Sequence, residues 1–595
     1  MADCDAPNSA DPVDESLQVT DGQHIHTPDL HSEENDELNA ARRPEHRRRP
    51  PHGRDPRHHG QQSLVPARKG PGLAATGRAA HRSTDRVLQH NVVREPGGRF
   101  DCFNTLPSGA DGADYVAKLV LYAHHQVYSN FFVGEVKDTS VLPYTKYALH
   151  HEHAYWGAAW FSCTSRRWLA GGSMQHTPQE LFFYTKSLES LRQALSDPAL
   201  ATHESTISTI LHLSFPPYLP HFDRSIPRPR QSNFKTWNLL HLATGLNVAE
   251  EHMLGLAAVV KMLGGVHNIQ SAQIRRSVCF QGIHFSGRHL KAPLFPFASL
   301  HPVEQLVHAS RLLRSRHAFD SISTLPETSP SRGTGFNDIS FPDLPVETPS
   351  PPPAVVWAYL ADMTTILEDY ASGGSMQSQT SVILDQMQFT QHSLLSLPPS
   401  ADLLREEQQQ DQGTAAGSTQ QQQQQQQQRQ RRIRLQIYEI TRWACICYAN
   451  LITYPTDYST FPRLRLARLL LHELQSLYGA DPDDPDTGAK IAQLTRPELR
   501  LVFWATVLGA IMAVGFDAER RSYVALVARS AVDAKVRSWT EAKDVMESFL
   551  WHGQTSDPDA LKLWVEVQSL ASARGGLAEG TVRLPERTAC AGRSY

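Results

Sequence analysis

Apolar residues in this chain recur at steps of three and four, not two, and they do so in blocks. From Ala249 to Val266, AEEHMLGLAAVVKMLGGV, the side chains of Met253, Leu256, Val260 and Leu263 fall on one face of a helix. Asn247 with Glu250 gives a start signal, a cap followed three residues later by a carboxylate. Gly264 and Gly265 give the stop, since glycine turns left-handed without steric penalty. Gly255 inside this helix costs about 1 kcal/mol against alanine, which predicts close approach of another helix there. The same period predicts helices over Tyr115 to Phe132, Leu149 to Trp168, Pro178 to Leu195, Ser205 to Leu213 and Ile274 to Phe285. In Pro178 to Leu195 the apolar face is read as Leu181, Tyr184, Leu188, Leu191 and Leu195. Further blocks follow at Val356 to Tyr370, Ile433 to Ala449, Phe461 to Tyr478 and Pro497 to Gly515. Ser538 with Glu541 is a capping box opening a helix that Gly553 stops, and Asp557-Pro558 opens the last one. No strand-period run of any length separates these blocks, so the predicted fold is all-α, a multi-helix array.

Composition changes the picture between the blocks. Residues 1 to 41 hold eleven Asp and Glu and no Lys or Arg; the next stretch flips sign with Arg42, Arg43, Arg47, Arg48, Arg49, Arg54 and Arg57. So few apolar residues cannot offset the entropy of ordering, and residues 1–99 are expected to be disordered. The chain then divides into a first helical part at 100–322, a Pro/Ser-rich linker at 323–353, a helical segment at 354–397, a low-complexity insert at 398–432, a C-terminal helical part at 433–575 and a tail at 576–595. The 398–432 insert contains nine consecutive glutamines, Gln420 to Gln428, read equally as a weak association tract or as neutral length variation. The seven cysteines show no disulfide framework, the acidic first forty residues show no secretory apolar core, and the longest apolar run, Leu501 to Phe516, is short for a membrane span and reads as a buried helix. A soluble, intracellular protein is expected, with no membrane partner.

Several segments carry a resemblance. The His252-x-x-Gly255-Leu256 helix that runs through Val260 into Gly264-Gly265, the entry segment FDCFNTLP at Phe100 to Pro107, and the Ser196-Asp197-Pro198 step resemble the middle domain of fungal-specific transcription factors. So do Trp539, the run Phe549-Leu550-Trp551-His552-Gly553, and LKLWVEV with Trp564 near the end of the chain. The patches span roughly residues 100 to 570; Cys102 departs from the proline usual in the entry segment. The resemblance implies an all-α regulatory domain, a nuclear location, control of transcription, and partners drawn from the transcription machinery, a DNA-binding protein or a second copy of the chain. Members of this family usually carry a six-cysteine binuclear zinc cluster. Only Cys4 and Cys102 lie toward the N-terminal end here, so the chain reads as a clusterless relative or as one whose cluster is encoded upstream, and direct contact with DNA is left open.

Candidate chemistry adds little. The arginine block reads as a nuclear import signal or a phosphate-contacting arm, against a plain solvated charge run. Cys445 and Cys447, two apart on a helix, read as core. His150, His151, Glu152 and His153 fan around a helix and cannot converge on one ion. Glycine-rich phosphate loops and a nucleophile elbow are missing, so neither an enzyme nor a cofactor nor a metal is expected. The competing reading is a helical scaffold outside the nucleus that binds a partner or a small molecule.

Overall fold

The computed structural model describes residues 113–128, 142–169, 176–214, 226–235, 248–302, 333–342, 344, 350–374, 380–411, 418–456, 460–479 and 485–573. The expectations for residues 1–99, the entry segment Phe100 to Pro107 and the tail 576–595 lie outside them. Among the described residues there are seventeen α-helices and no strand, as the three-and-four periodicity predicts.

The N-terminal helices are α1 (Ala113–Tyr122, followed by a π-helical turn Ala123–Tyr128), α2 (Leu142–His150), α3 (Glu152–Leu169), α4 (Pro178–Ser196), α5 (Glu204–Leu213), α6 (Glu250–Met262) and α7 (Ala272–His289). They enclose one apolar core around Tyr155, Trp160, Ile207, Met253, Leu256 and Val278. After the turn Thr334–Phe336 come α8 (Pro353–Ala371), α9 (Thr380–Leu395), α10 (Ser400–Asp411), α11 (Ser418–Leu451), α12 (Thr460–Tyr478), α13 (Pro485–Ile491), α14 (Arg496–Met512), α15 (Asp517–Asp533), α16 (Trp539–Ser548) and α17 (Gly553–Ala573). These form a second core whose axis is α14, buried without interruption from Leu501 to Met512.

Helix α7 belongs to both cores. Ile274, Val278, Cys279 and Phe285 face the first, while Phe280 and Ile283 face the second. At the α14–α15 crossing a Cβ on Gly509 would lie 2.3 Å from the Tyr523 ring, so glycine alone permits the approach. The Tyr523 hydroxyl then reaches across to donate to the Ala467 carbonyl of α12 at 2.7 Å.

Local punctuation explains most boundaries. Capping boxes open α4 (Thr177 with Glu180), α14 (Thr495 with Glu498) and α16 (Ser538 with Glu541). Helix α6 stops at Gly264 and Gly265, with φ of 88° and 112°.

Other expectations need correction. The N-cap of α6 is Ala249, with no side-chain cap, rather than Asn247. Gly255 meets no helix: a Cβ there would find nothing within 4 Å. The buried face of α4 is Phe183, Ser187, Ser190, Leu191 and Ala194, while Leu181 and Leu195 are 43% and 41% exposed. The rotation follows from α3, where Gly157 admits Ser187 and Thr209 at close range and draws the small-residue face inward. The stretch Leu149 to Trp168 is two helices meeting at His151, not one. Within the 323–353 linker, Phe336 and Ile339 are buried in the second core. The 398–432 insert contains α10 and the start of α11, and the glutamine run is helical backbone continuous with Ile433 onward. Helix α16 ends at Ser548, and Gly553 starts α17, which puts Pro558 inside that helix instead of in its first turn. His552 accounts for the earlier start, since its carbonyl accepts from the amides of Thr555 and Ser556 and its ring meets Thr555 Oγ1 at 3.0 Å.

Candidate functional site

The residues that carry the resemblance sit in two separate places. On α6, Leu256 and Val260 are core, and His252 Nε2 lies 3.3 Å from the Tyr184 hydroxyl of α4, tying the two helices. Burial lowers the His252 pKa, with Glu251 opposing the shift. At the other end, Phe549, Leu550 and Trp551 are buried and Trp564 nearly so, and Trp539 packs at the edge of the same core. Trp504 Nε1 donates to the Leu550 carbonyl at 2.9 Å, Trp551 Nε1 donates to Asp557 Oδ1 at 2.7 Å, and Gly333 N donates to the Phe549 carbonyl at 2.8 Å. The Phe336 ring is 5.1 Å from Phe549, which is itself 5.6 Å from Trp504. These are packing roles. Arg42, Arg43, Arg47, Arg48, Arg49, Arg54 and Arg57 lie outside the described residues.

Two polar constellations stand out; the first was not legible in the sequence and the second only in its closely spaced His151 and His153. The first is a seam between the cores. Arg276 of α7 and Asp385 of α9 form an ion pair, Nε to Oδ1 2.9 Å, with both side chains almost wholly buried. The other carboxylate oxygen accepts from the Leu300 amide at 2.9 Å and the His301 amide at 3.1 Å, and lies 2.8 Å from His301 Nδ1. Burial by itself would raise the Asp385 carboxyl; the Arg276 guanidinium and His301 more than offset it and hold its pKa below the ordinary value. Farther along α9, Gln386, Gln388 and Gln391 are buried, and neither amide atom of any of the three has a protein hydrogen-bond partner. Helix α9 is thus sealed on every side yet rich in polar groups, which is why its sequence shows no apolar stripe.

The second constellation gathers histidines that are far apart in sequence. The rings of His151 and His153 come within 5.5 Å of each other, and His151 lies 4.8 Å from His203 at the start of α5. Tyr147 sits 5.5 Å from His203. Ser205 Oγ bridges the imidazoles, 2.9 Å from His153 Nε2 and 2.8 Å from His203 Nδ1. Glu204 accepts from the Tyr147 hydroxyl at 2.7 Å and from the Ser271 amide at 2.9 Å. Burial, then the neighbouring imidazoles His151 and His203, push the His153 pKa down to about 4; burial, His203 and His150 lower that of His151.

A serine between two histidines is the arrangement of an activated nucleophile, but Ser205 is fully buried and its hydroxyl is engaged on both sides. It works as a joint between helices. Among the described residues no group of three or more His, Cys, Asp or Glu is placed to hold a metal ion, and no helix is long and apolar enough to cross a membrane. Cys445 and Cys447 are buried in the second core, where burial raises both thiols. No family model, curated protein or solved structure matches this chain.

Proposed function

We propose that this chain is a nuclear regulator of transcription similar to fungal-specific transcription factors, acting through a helical regulatory domain with no zinc cluster within these 595 residues. The observation that carries the reading is the order of the signature segments, with α6 in the first half and the Phe549-to-Trp564 block in the last helices of one helical array. An all-helical chain is what the resemblance implies, and among the described residues the signature side chains other than Gly255 sit at packed or turn-forming positions. Targeting to DNA then falls to a partner protein, and the arginine block 42–57 serves import.

The test is localisation of the full chain fused to a fluorescent protein. A nuclear wild type and a cytoplasmic Arg47→Ala, Arg48→Ala, Arg49→Ala variant support the reading; a nuclear signal unchanged by the substitutions removes the import role. A wild type that stays in the cytoplasm refutes the nuclear assignment.

The second reading, a scaffold that binds a small polar molecule, is favoured by one observation: six buried amide atoms on α9 without a protein partner. Buried amides are stable only when hydrogen-bonded, so this interior suits a guest that both donates and accepts.

A further inference from the structure

Helix α6 breaks the usual division between a core face and a wetted face. Met253, Leu256, Val259 and Val260 are buried in the first core. The opposite side carries Leu254, Gly255, Ala258 and Met262, all exposed, Leu254 at 53% and Met262 at 63%. Leu254, Ala258 and Met262 follow one another at steps of four, and with Gly255 they fill an arc of about 100°. A helix on the surface of a folded chain ordinarily turns polar residues to water on that side. Here the charged residues of the exposed arc stand only at its ends, Glu250 and Glu251 in the first turn and Lys261 in the last. Those charges suit the dipole of any helix. The apolar strip between them has no such explanation, and a Cβ on Gly255 meets nothing in the chain itself.

The pattern is its own complement when two copies meet antiparallel. Glu251 and Lys261 each lie five residues from Leu256, and Leu254 and Ala258 each lie two residues from it. A two-fold axis level with Leu256 therefore sets Glu251 of one copy opposite Lys261 of the other, twice, and places each Leu254 over the other copy's Ala258. Gly255 and Ala258 keep the strip low, so the two backbones come close and Met262 lies along the first turn of the opposite helix. A parallel pair sets Glu251 against Glu251 and Lys261 against Lys261, and like charges facing each other oppose it. Helix α6 is about 20 Å long. A contact along it alone is smaller than the roughly 1,200 Å² at which standard interfaces begin, so the association is weak and depends on concentration.

We propose that the exposed face of α6 is a self-association surface: two copies of this chain pair antiparallel through Leu254, Ala258 and Met262, with Glu251 against Lys261 at both ends. This holds whether or not the chain regulates transcription, since it concerns only what covers α6.

The test is sedimentation velocity of the full chain at about 1 to 300 µM. The wild type shifts from monomer toward dimer across that range. Leu254→Gln with Met262→Gln weakens dimerisation by about tenfold or more, the effect of removing most of the apolar contact. Lys261→Glu alone weakens it by about tenfold, because two exposed attractions become two repulsions. Adding Glu251→Lys to Lys261→Glu exchanges the two charges and restores the wild-type constant. Mixing the single variant Glu251→Lys with the single variant Lys261→Glu gives a mixed dimer stronger than either variant forms alone. All four positions are exposed, so circular dichroism and the urea midpoint should match the wild type and tie any loss to association. A wild type that stays monomeric throughout, a dimer indifferent to the Leu254 and Met262 changes, or a double charge exchange no stronger than Lys261→Glu alone overturns the proposal.

Discussion

Replacing Asp385 with alanine removes the carboxylate that Arg276, Leu300 and His301 share and leaves the rest of the network in place. Arg276 then keeps a buried guanidinium, 3% exposed, that has lost the Asp385 carboxylate, and the Leu300 and His301 amides lose their acceptor. Breaking a buried pair from one side costs about 3–5 kcal/mol, and each orphaned buried donor adds about 1–3 kcal/mol where relaxation does not supply water. A destabilisation of about 4 kcal/mol is therefore expected, with the amide losses partly overlapping the first term. The double variant Arg276→Met, Asp385→Leu removes both charges and fills the volume. What remains is the two amides, so it should be destabilised by about 2 kcal/mol, less than the single change. Urea unfolding followed by tryptophan fluorescence reads both values. Since Arg276 and Asp385 connect α7 with α9, Asp385→Ala should also bring the unfolding transitions of the two cores further apart than in the wild type. A single-variant loss under about 1 kcal/mol, or a double variant as unstable as the single, would refute the account of the seam as a network in which each charge needs the other.

Three further outcomes follow from particular positions. Gly255→Ala should stabilise the chain by up to about 1 kcal/mol, because a Cβ there meets nothing; a fall in the urea midpoint would show a contact that glycine alone permits. Gly509→Ala should act in the opposite direction, by about 2–4 kcal/mol, since the methyl group displaces the Tyr523 ring and breaks its bond to Ala467. A Gly509→Ala protein of wild-type stability would show that the α14–α15 crossing can open. His212 is buried, stacked on Phe161 at 5.1 Å, and burial pushes its pKa down to about 3. The unfolded chain therefore binds a proton that the folded chain refuses: the contribution is intact above the unfolded value near 6.5 and is lost as pH falls below it. Between pH 6.5 and 5 this residue alone takes away about 2 kcal/mol, and His212→Gln should flatten the pH dependence of the unfolding free energy by that amount. An unchanged slope would mean that the ring titrates freely.

What was legible beforehand depended on whether an element has two kinds of face. Helices α4, α6, α12 and α14 present apolar spacing, caps or glycine stops, and all four were readable to within a few residues. Helix α9 is buried on every side with Asp385, Gln386, Gln388, Thr390 and Gln391 inside, so it offers no contrast for a period to show. Helix α13 was not predicted because its seven residues hold too few apolar positions to set a phase. The rotation of α4 was hidden because the choice of buried face was made by Gly157 on another helix. The histidine cluster was half visible. His151 and His153 stand out in sequence, but their partner His203 lies some fifty residues on and acts through a cap, a role that histidine seldom fills.

The helical state of the glutamine run was not legible for a different reason: a uniform tract has no period, yet it can extend a helix that has already been nucleated elsewhere. Among the described side chains of α11, Ile433 is the first buried one, and Gln425 to Arg432 ahead of it are exposed. Propagation is cheap once the core half is formed, and glutamine is a good helix former. A repeat of this kind expands and contracts by whole codons, and here each gained or lost glutamine acts as a step of a screw. It moves the Ser418 end of α11 by about 1.5 Å along the helix axis and turns it by about 100° around that axis, while the start of α10 stays anchored, with Leu403 in the second core and the Ser400 amide donating to Glu439. Lengths differing by seven glutamines leave the start of α11 at nearly its original bearing, about 10 Å farther out, whereas lengths differing by two point it almost backwards. Repeat length in this chain is therefore a geometric variable, and its effects should recur with the helical period instead of growing smoothly with the number of glutamines.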